Sequence, residues 1–442
     1  MPLDERPDAA YITEIESQLQ GQWAAAHAKF LKIDPYILNT FEVWPKELQK
    51  ARASLRPSRG PAILSHAVDN QLGFTPKPKV IPAGDGAKAA ADADLGEQFL
   101  GAVFFDASTR EPVLPWRMAG RYLTAYGYCV IEAPLLDFTE EPEEPKREKG
   151  ESGEEFEERQ RIHRAGLRNW NPFRIRVPHP ARVLLPPLEK QPNVAVKRSM
   201  RYAVELERLT AQKAKTRRYA QAWVRLEGMK PFTQVEVVEY WTKTWHAMML
   251  VGGDLLFVER NLWGFVPFTQ AYEGSGGEPT AYNQVDPAYY CTGIYEYIQD
   301  MLTANAQRMS AHHELLLRSA YAPLGTPRSP EDIAQQLARG EIVQAEKDEL
   351  WVLDTPQVSQ WMFQHGEDIL DDVEAGTYVS ALAGGKQPGV STVGQQAILS
   401  TAAAKRFVAT QMQMNSLASI VGSRILRLVD VMGKKLTVRG QS

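Results

Sequence analysis

The stretch YVSALAGGKQPGVSTVGQQAILSTAAAKRFV, residues 378–408, joins two helical patterns through a loop that contains glycine and proline. Upstream, Pro356 predicts a helix start, and no further proline interrupts the chain up to residue 382. Glycine and proline both end helices, so residues 383–389 are predicted to form a loop. A second helix is predicted over residues 395–432, with a length of roughly 50–60 Å at 1.5 Å per residue.

This second helix is nearly uncharged, since Lys405 and Arg406 are the only charged residues between Gln395 and Ser423. Apolar side chains cover most of its circumference, and a helix of that kind must be buried on several sides. One subunit of 442 residues rarely buries such a helix alone. The sequence therefore predicts that neighbouring copies of the chain cover it.

The first of the two helices carries five acids within eight positions: Glu367, Asp368, Asp371, Asp372 and Glu374. An exposed charged face is the simplest interpretation. A nuclease that holds two metal ions also needs clustered carboxylates. However, adjacent acids on one helix point in several directions, and only His365 offers a further nuclease-type side chain nearby. In a ring of copies, the same acids would line a channel and repel phosphate, so that DNA could slide through it.

The acidic helix, the glycine-rich loop and the long apolar helix resemble the stem helix, tunnel loop and following helix of the portal proteins of tailed bacteriophages. Other stretches are similar to the wing of these proteins. They are GPAILSHAVDNQLGFTPKPKVIP at 60–82, YGYCVIE at 126–132, and EYW at 239–241 with the following hairpin and the GFVPF step at 264–268. The segment between the two long helices is similar to the portal clip.

This resemblance implies an α+β portal fold that forms a ring, usually of twelve subunits. The implied parts are an N-terminal helical arm at 1–60, a mixed α/β wing at 61–285 with a charged insertion at 137–165, a first stem helix at 286–318, a small α/β clip at 319–355, a second stem helix at 356–383, a tunnel loop at 384–394, and a long wing helix at 395–442. The crown at the end of the chain would be short or truncated.

By the same resemblance, the ring would lie at one capsid vertex and conduct double-stranded DNA during packaging and ejection. It would dock the large terminase subunit and then head-completion or adaptor proteins. Major capsid and scaffolding proteins are further expected partners, and the virion is the expected location. No enzymatic activity, cofactor or metal is expected. Two alternatives remain, a phage nuclease that uses the acids at 367–374 and a non-enzymatic α+β adaptor.

Six residues belong to the implied tunnel loop: Gly384, Gly385, Lys386, Gln387, Gly389 and Gly394. Its four glycines permit movement, and Lys386 would touch backbone phosphate. The loop is not a nucleotide-binding P-loop, because that motif needs Ser or Thr after the lysine and Gln387 stands there. A plain surface loop is the simpler interpretation.

A basic stretch at 196–229 is predicted to be helical. Contact with DNA phosphates or with an acidic neighbouring subunit would use six of its residues: Arg198, Arg201, Lys213, Lys215, Arg217 and Arg218. A solvated face explains them more simply. The whole chain has a formal net charge of −4, so any DNA contact must be local.

Composition limits the class of protein. The hydrophobic fraction of 44% is ordinary for a globular protein, and two cysteines form neither a disulfide framework nor a metal site. No signal peptide is recognised, and the long apolar helix has too many polar residues to cross a membrane. A soluble protein made in the host cytoplasm is expected.

Periodicity predicts the remaining elements. Helices are expected at 11–30, 44–55, 62–72, 95–105, 115–126 and 288–318. Strands are expected at 78–82, 127–134, within 172–187, and in a three-strand meander over 234–259. The charge run at 137–164 is predicted to be a solvated or disordered insertion.

Overall fold

A computed structural model describes residues 5–50, 52–68, 75–136, 142, 144–149, 151–211, 220–273, 286–320, 324–325, 351–352, 369 and 408–432. These residues form a mixed α+β protein. The chain divides into two compact units. The first contains Met1–Asp34, Leu64–Glu296 and Ala381–Ser442, and the second contains Pro35–Ile63 and Tyr297–Ser380.

The helices are α1 (Ala9–Ile37), α2 (Arg59–Ala67), α3 (Ala87–Arg110), α4 (Pro115–Tyr126), α5 (Gly153–Asn169), α6 (Ala203–Ala211), α7 (Ala220–Glu227), α8 (Ile294–Ala320) and α9 (Val408–Met432). The strands are β1 (Tyr128–Leu136), β2 (Phe173–Arg176), β3 (Val183–Leu184), β4 (Val194–Tyr202), β5 (Gln234–Thr242), β6 (Trp245–Leu250), β7 (Leu255–Arg260), β8 (Phe268–Tyr272), β9 (Leu324–Gly325) and β10 (Trp351–Val352). Short 3₁₀ helices lie at Pro180–Arg182 and Pro287–Tyr289.

The first unit contains two antiparallel sheets. One has the strand order β2-β1-β8, and the other has the order β3-β4-β5-β6-β7. In the second sheet Lys197 of β4 lies opposite Glu239 of β5, so both side chains share a face. Gly252 and Gly253 form the β6–β7 turn at φ values of 115° and 95°, which favour glycine. The predicted meander is confirmed.

Helix α9 packs inside the first unit, against α3, α4, β1 and β8. Its residues Leu417, Val421 and Ile425 are fully buried in the same apolar core as Phe104 and Ile131. Their spacing of four residues places them on one helical face. The chain's own sheet and helices therefore cover this face of α9, whereas the coverage of the helix by neighbouring copies stays a prediction. No helix within the described ranges is long and apolar enough to span a bilayer.

A buried arginine also fixes α9 to the sheet. Arg424 donates from Nη1 to the carbonyl oxygen of Phe268 at 3.0 Å and to Oγ1 of Thr269 at 2.6 Å. Its guanidinium lies 5.2 Å from the ring centre of Phe265. Burial lowers the pKa of Arg424 to about 10, so it remains charged at neutral pH. These contacts set the axial position of α9 on β8.

In the second unit, residues from 35 to 63 lie along α8. The amide of Ala53 donates to Oε1 of Glu314 at 2.8 Å, and the amide of Leu55 donates to Oγ of Ser310 at 2.9 Å. Ala306 of α8 packs with the buried ring of Phe41. The strands β9 and β10 pair antiparallel with one another, and both lie within the range 319–355.

Several predicted elements need correction. Residues 196–202 are part of strand β4 rather than a helix, because their backbone pairs with β5 along its whole length. Residues 44–50 and 52–55 form turns, bends and irregular chain rather than a helix. Residues 78–82 are extended, as three nearby prolines require, but are not in a described strand. The predicted stem helix at 288–318 begins only at Ile294, because Asp286 caps the short helix Pro287–Tyr289 instead.

The charge run at 137–164 is not wholly irregular, because α5 forms within it. Ser152 and Glu155 make a reciprocal capping box at the start of this helix. Arg159 donates to both carboxylate oxygens of Glu151, at 2.7 and 2.6 Å. None of the residues 153–167 is buried, so the prediction of a solvated segment holds for the helix.

Candidate functional site

Most residues of the predicted channel lie outside the described part of the chain. These are the acids Glu367, Asp368, Asp371, Asp372 and Glu374, the loop residues Gly384, Gly385, Lys386, Gln387, Gly389 and Gly394, and the basic residues Lys213, Lys215, Arg217 and Arg218. Arg198 and Arg201 on β4 are described. They lie close to a group of charged side chains in the first unit.

Arg198 and Arg201 both face carboxylates of their own chain. Arg198 donates from Nε to Oε1 of Glu16 at 2.5 Å, and Glu236 lies 4.0 Å away. Arg201 Nη2 lies 3.9 Å from Oε2 of Glu239. Glu16 is 182 residues from Arg198 along the chain, so no local pattern could predict this pair. These arginines therefore have a structural role that the sequence did not indicate.

A buried ion pair joins the two sheets of the first unit. Lys197 on β4 donates from Nζ to both carboxylate oxygens of Glu132 on β1, at 2.6 and 2.8 Å. The side chains are only 9% and 2% exposed. Burial opposes the ammonium of Lys197, but the charges of Glu132 and Glu239 outweigh it and raise its pKa. Lys197 therefore stays protonated, and an ammonium is neither a nucleophile nor a general base.

Glu239 extends this pair into a charge network, defined here as Glu132, Lys197, Glu239, His246 and Glu259. Glu259 lies at its edge, with a side chain that is 47% exposed. Oε2 of Glu239 lies 3.5 Å from Lys197 Nζ, and Oε1 lies 3.2 Å from Nε2 of His246. Nδ1 of His246 lies 3.6 Å from Glu259. Burial opposes the carboxylate of Glu239, but Lys197 and His246 outweigh it and lower its pKa. Charges alternate in sign, as buried charges require.

Aromatic rings enclose the histidine of this network. The ring of His246 stacks on Trp241 with centroids 3.5 Å apart, and Trp241 stacks in turn on Trp263 at 5.1 Å. The indole of Trp241 also donates to Oε1 of Glu239 at 3.0 Å. Phe257 meets the imidazole edge-on at 4.9 Å. Protonation of His246 is therefore expected to change the fluorescence of Trp241.

A cleft of about 290 Å³ opens beside Glu132 and Lys197. Its walls are mostly apolar, with Met118, Ile175 and Val177 among them. Lys197 directs its N–H groups to carboxylates of the network rather than into the cleft. Within the described ranges, no three His, Cys, Asp or Glu side chains are arranged to hold a metal ion. The arrangement therefore serves best as a proton-linked structural tie between the sheets.

The network predicts a pH dependence of stability through His246. Burial opposes its imidazolium, but the carboxylates of Glu239 and Glu259 outweigh this and raise its pKa above 6.5. A raised folded-state pKa adds stability that is fully present below pH 6.5 and is lost as pH rises through the folded pKa. The free-energy difference between wild type and His246→Gln should shrink as pH increases from 5.5 to 8.5, measured by urea unfolding.

Lys197 remains cationic over that range because its pKa is raised, and Glu239 remains a carboxylate because its pKa is lowered. His163→Gln on the exposed helix α5 is the matched control and should leave the pH profile of the wild type unchanged. A difference between wild type and His246→Gln that does not vary with pH would contradict the proton linkage.

A second polar cluster joins α1 to the end of α4. Tyr126 donates its hydroxyl hydrogen to Oδ1 of Asp34, and His179 Nε2 lies 3.4 Å from the same oxygen. Nδ1 of His179 accepts from the amide of Ala181 at 3.2 Å, so Nε2 carries the proton. Burial, followed by the charge of His179, lowers the pKa of nearby His27 to about 4. The hydrogen bonds of this cluster link α1 to the end of α4.

Comparison with known proteins gives no family assignment. No family model matches this chain, and no curated protein is significantly similar to it. The function must therefore be argued from the order of its elements and from its own residues.

Proposed function

We propose that this chain is the subunit of a portal-type ring that conducts double-stranded DNA. The proposal rests on one observation: most of the second unit lies, in sequence, between two parts of the first. The chain leaves the first unit after Glu296, forms most of the second unit with Tyr297–Ser380, and returns to the first at Ala381. The portal family has this order of wing, stem, clip, stem and wing.

The elements at each step of this path support the proposal. Helix α8 has 27 residues, which is roughly 40 Å and suits a stem helix. The paired strands β9 and β10 follow it at the positions of the clip. Helix α9 then returns to the core of the first unit, against β1 and β8.

The proposed conduction mechanism uses the acids between Glu367 and Glu374. Repeated around a ring, they would form a negative channel lining that repels the phosphate backbone. DNA in such a channel can slide because no strong contact holds it. Lys386 in the proposed tunnel loop would supply a single weak, salt-sensitive contact for each subunit. Terminase and head-completion proteins would dock on the clip, at 319–355.

The basis for ring formation differs from the sequence argument. One face of α9 is buried in its own subunit, so an uncovered apolar helix no longer requires neighbours. On its other face, Met412 and Val431 remain 66% and 57% exposed. Apolar side chains at that exposure are compatible with a subunit interface. The main support for the proposal is that the second unit is inserted within the sequence of the first.

Particle size tests this proposal directly. Twelve subunits of 49.6 kDa form a particle of roughly 600 kDa. We expect light scattering of the purified chain to give about this mass in 0.15 and 0.5 M salt, and negative-stain class averages to show a ring with a central pore. A monomer or dimer at micromolar concentration, without a pore, would reject the portal assignment and favour the enzyme or adaptor alternatives.

A further inference from the structure

A second cleft, of about 450 Å³, lies in the first unit between the extended segment 76–81 and the helices α3 and α9. Leu100, Phe104 and Leu426 are among the residues of its apolar floor, and Lys77, Lys79 and Ile81 belong to its rim. None of the described residues that line it is acidic. We call it the lysine cleft.

The rim of the lysine cleft has an extended backbone, which its prolines favour. The prolines at 76, 78 and 82 keep their neighbours extended. The amide of Val80 donates to Oε1 of Glu97 at 2.9 Å, and its side chain packs toward the core. Lys77, Lys79 and Ile81 alternate with it and are exposed, and Ile81 is 86% exposed. The two lysines beside an apolar floor favour a partner segment that combines acidic residues with an apolar side chain.

We propose that the lysine cleft receives the acidic segment 137–144 of a second copy of this chain. That segment reads DFTEEPEE, with five carboxylates, one phenylalanine and one proline. Its charge is opposite to that of the rim, Phe138 matches the apolar floor, and its proline favours an extended chain. The inference rests on the proposed ring, because copies lie side by side only in an assembly.

The described residues 144–149, at the end of this segment and just after it, are mostly exposed. Pro142 lies against Gly166 of α5, and Arg159 of α5 donates to the carbonyl oxygen of Lys146 at 3.0 Å. Since no residue between 153 and 167 is buried, α5 and the chain along it form an exposed module. In its own copy, the described residues 142 and 144–149 do not line the lysine cleft. The opposite charges of segment and rim, together with the proposed ring, make a second copy the occupant that we infer.

Cross-linking of the full chain tests this inference. The variant Lys79→Cys/Glu141→Cys is treated with a short bismaleimide, and Cys129 and Cys291 are buried and do not compete. We expect a ladder of chain-to-chain products on a denaturing gel. Adding Lys77→Glu should cut the yield at least fivefold, and Lys230→Cys/Glu141→Cys, whose lysine position does not line the cleft, should give no ladder.

Light scattering of the same samples separates the possible failures. A ring of full mass without cross-linked product overturns the docking inference and leaves the portal proposal standing. A faster-migrating single-chain product shows that each copy's own segment fills the cleft, which also overturns the inference. A monomer without product overturns both. A ladder that persists unchanged with Lys77→Glu shows proximity without the inferred charge recognition, and therefore counts against it.

Discussion

Replacing Lys197 with methionine is expected to destabilise the first unit by about 3–5 kcal/mol, the cost of breaking a buried ion pair. The substitution leaves the carboxylate of Glu132 only 2% exposed and without the ammonium that binds both its oxygens. A methionine of similar length fills the space, so the loss reports the uncompensated charge rather than a cavity. Urea unfolding followed by tryptophan fluorescence and circular dichroism measures it.

A second substitution separates the charge effect from packing. Glu132→Leu combined with Lys197→Met removes both charges, and it should recover at least half of the lost free energy. Arg161→Ala breaks an exposed pair with Glu158 on α5 and should have no measurable effect. If Lys197→Met lowers the free energy of unfolding no more than Arg161→Ala does, the stabilising role of the Glu132–Lys197 ion pair is refuted. A double variant as unstable as the single one would assign the effect to packing instead.

Local signals explain why parts of the fold could be predicted. Pro115 fits the first turn of α4, and Gly127 ends the helix at φ 70°, so the predicted boundaries match the structure. The glycine pair at 252–253 likewise marks the β6–β7 turn. In these places one or two residues restrict the backbone strongly, whatever the rest of the chain does.

The charge network could not be predicted because its partners are distant in sequence. Lys197 and Glu132 are 65 residues apart, and the basic residues around 196–202 were interpreted as a helix surface. Alternating charged and apolar residues fit a strand equally well when the charges face one another inside the protein. The apolar pattern of α9 correctly indicated burial, but a pattern does not show which element covers it.

The crossing of Gly127 and Gly293 is a further feature that the sequence did not reveal. A Cβ atom on Gly293 would overlap the carbonyl group of Ala125, and one on Gly127 would overlap the backbone of Thr292. All four groups belong to the first unit, at the point where α8 begins. Only two glycines let these backbones approach so closely.

Gly293→Ala is therefore expected to destabilise the protein by about 3 kcal/mol, at the upper end of overpacking costs. The clash is with backbone, which cannot rotate away as a side chain would. Gly21→Ala is the matched control. Gly21 lies inside α1 with nothing within 4 Å of its Cβ position, so alanine should stabilise the helix by about 0.5–1 kcal/mol.

An added methyl group is thus expected to destabilise the protein at Gly293, just before α8, and to stabilise it at Gly21 inside α1, and urea unfolding of both variants resolves the difference. If Gly293→Ala proved as stable as the wild type, the close approach of α4 and the start of α8 would be refuted. In the portal proposal α8 is the first stem helix, so its origin must be identical in every subunit for a ring to close. The close approach of Gly127 and Gly293 would fix the start of α8 in the same way in every subunit. Gly293→Ala should therefore also lower the yield of full-mass particles, measured by light scattering.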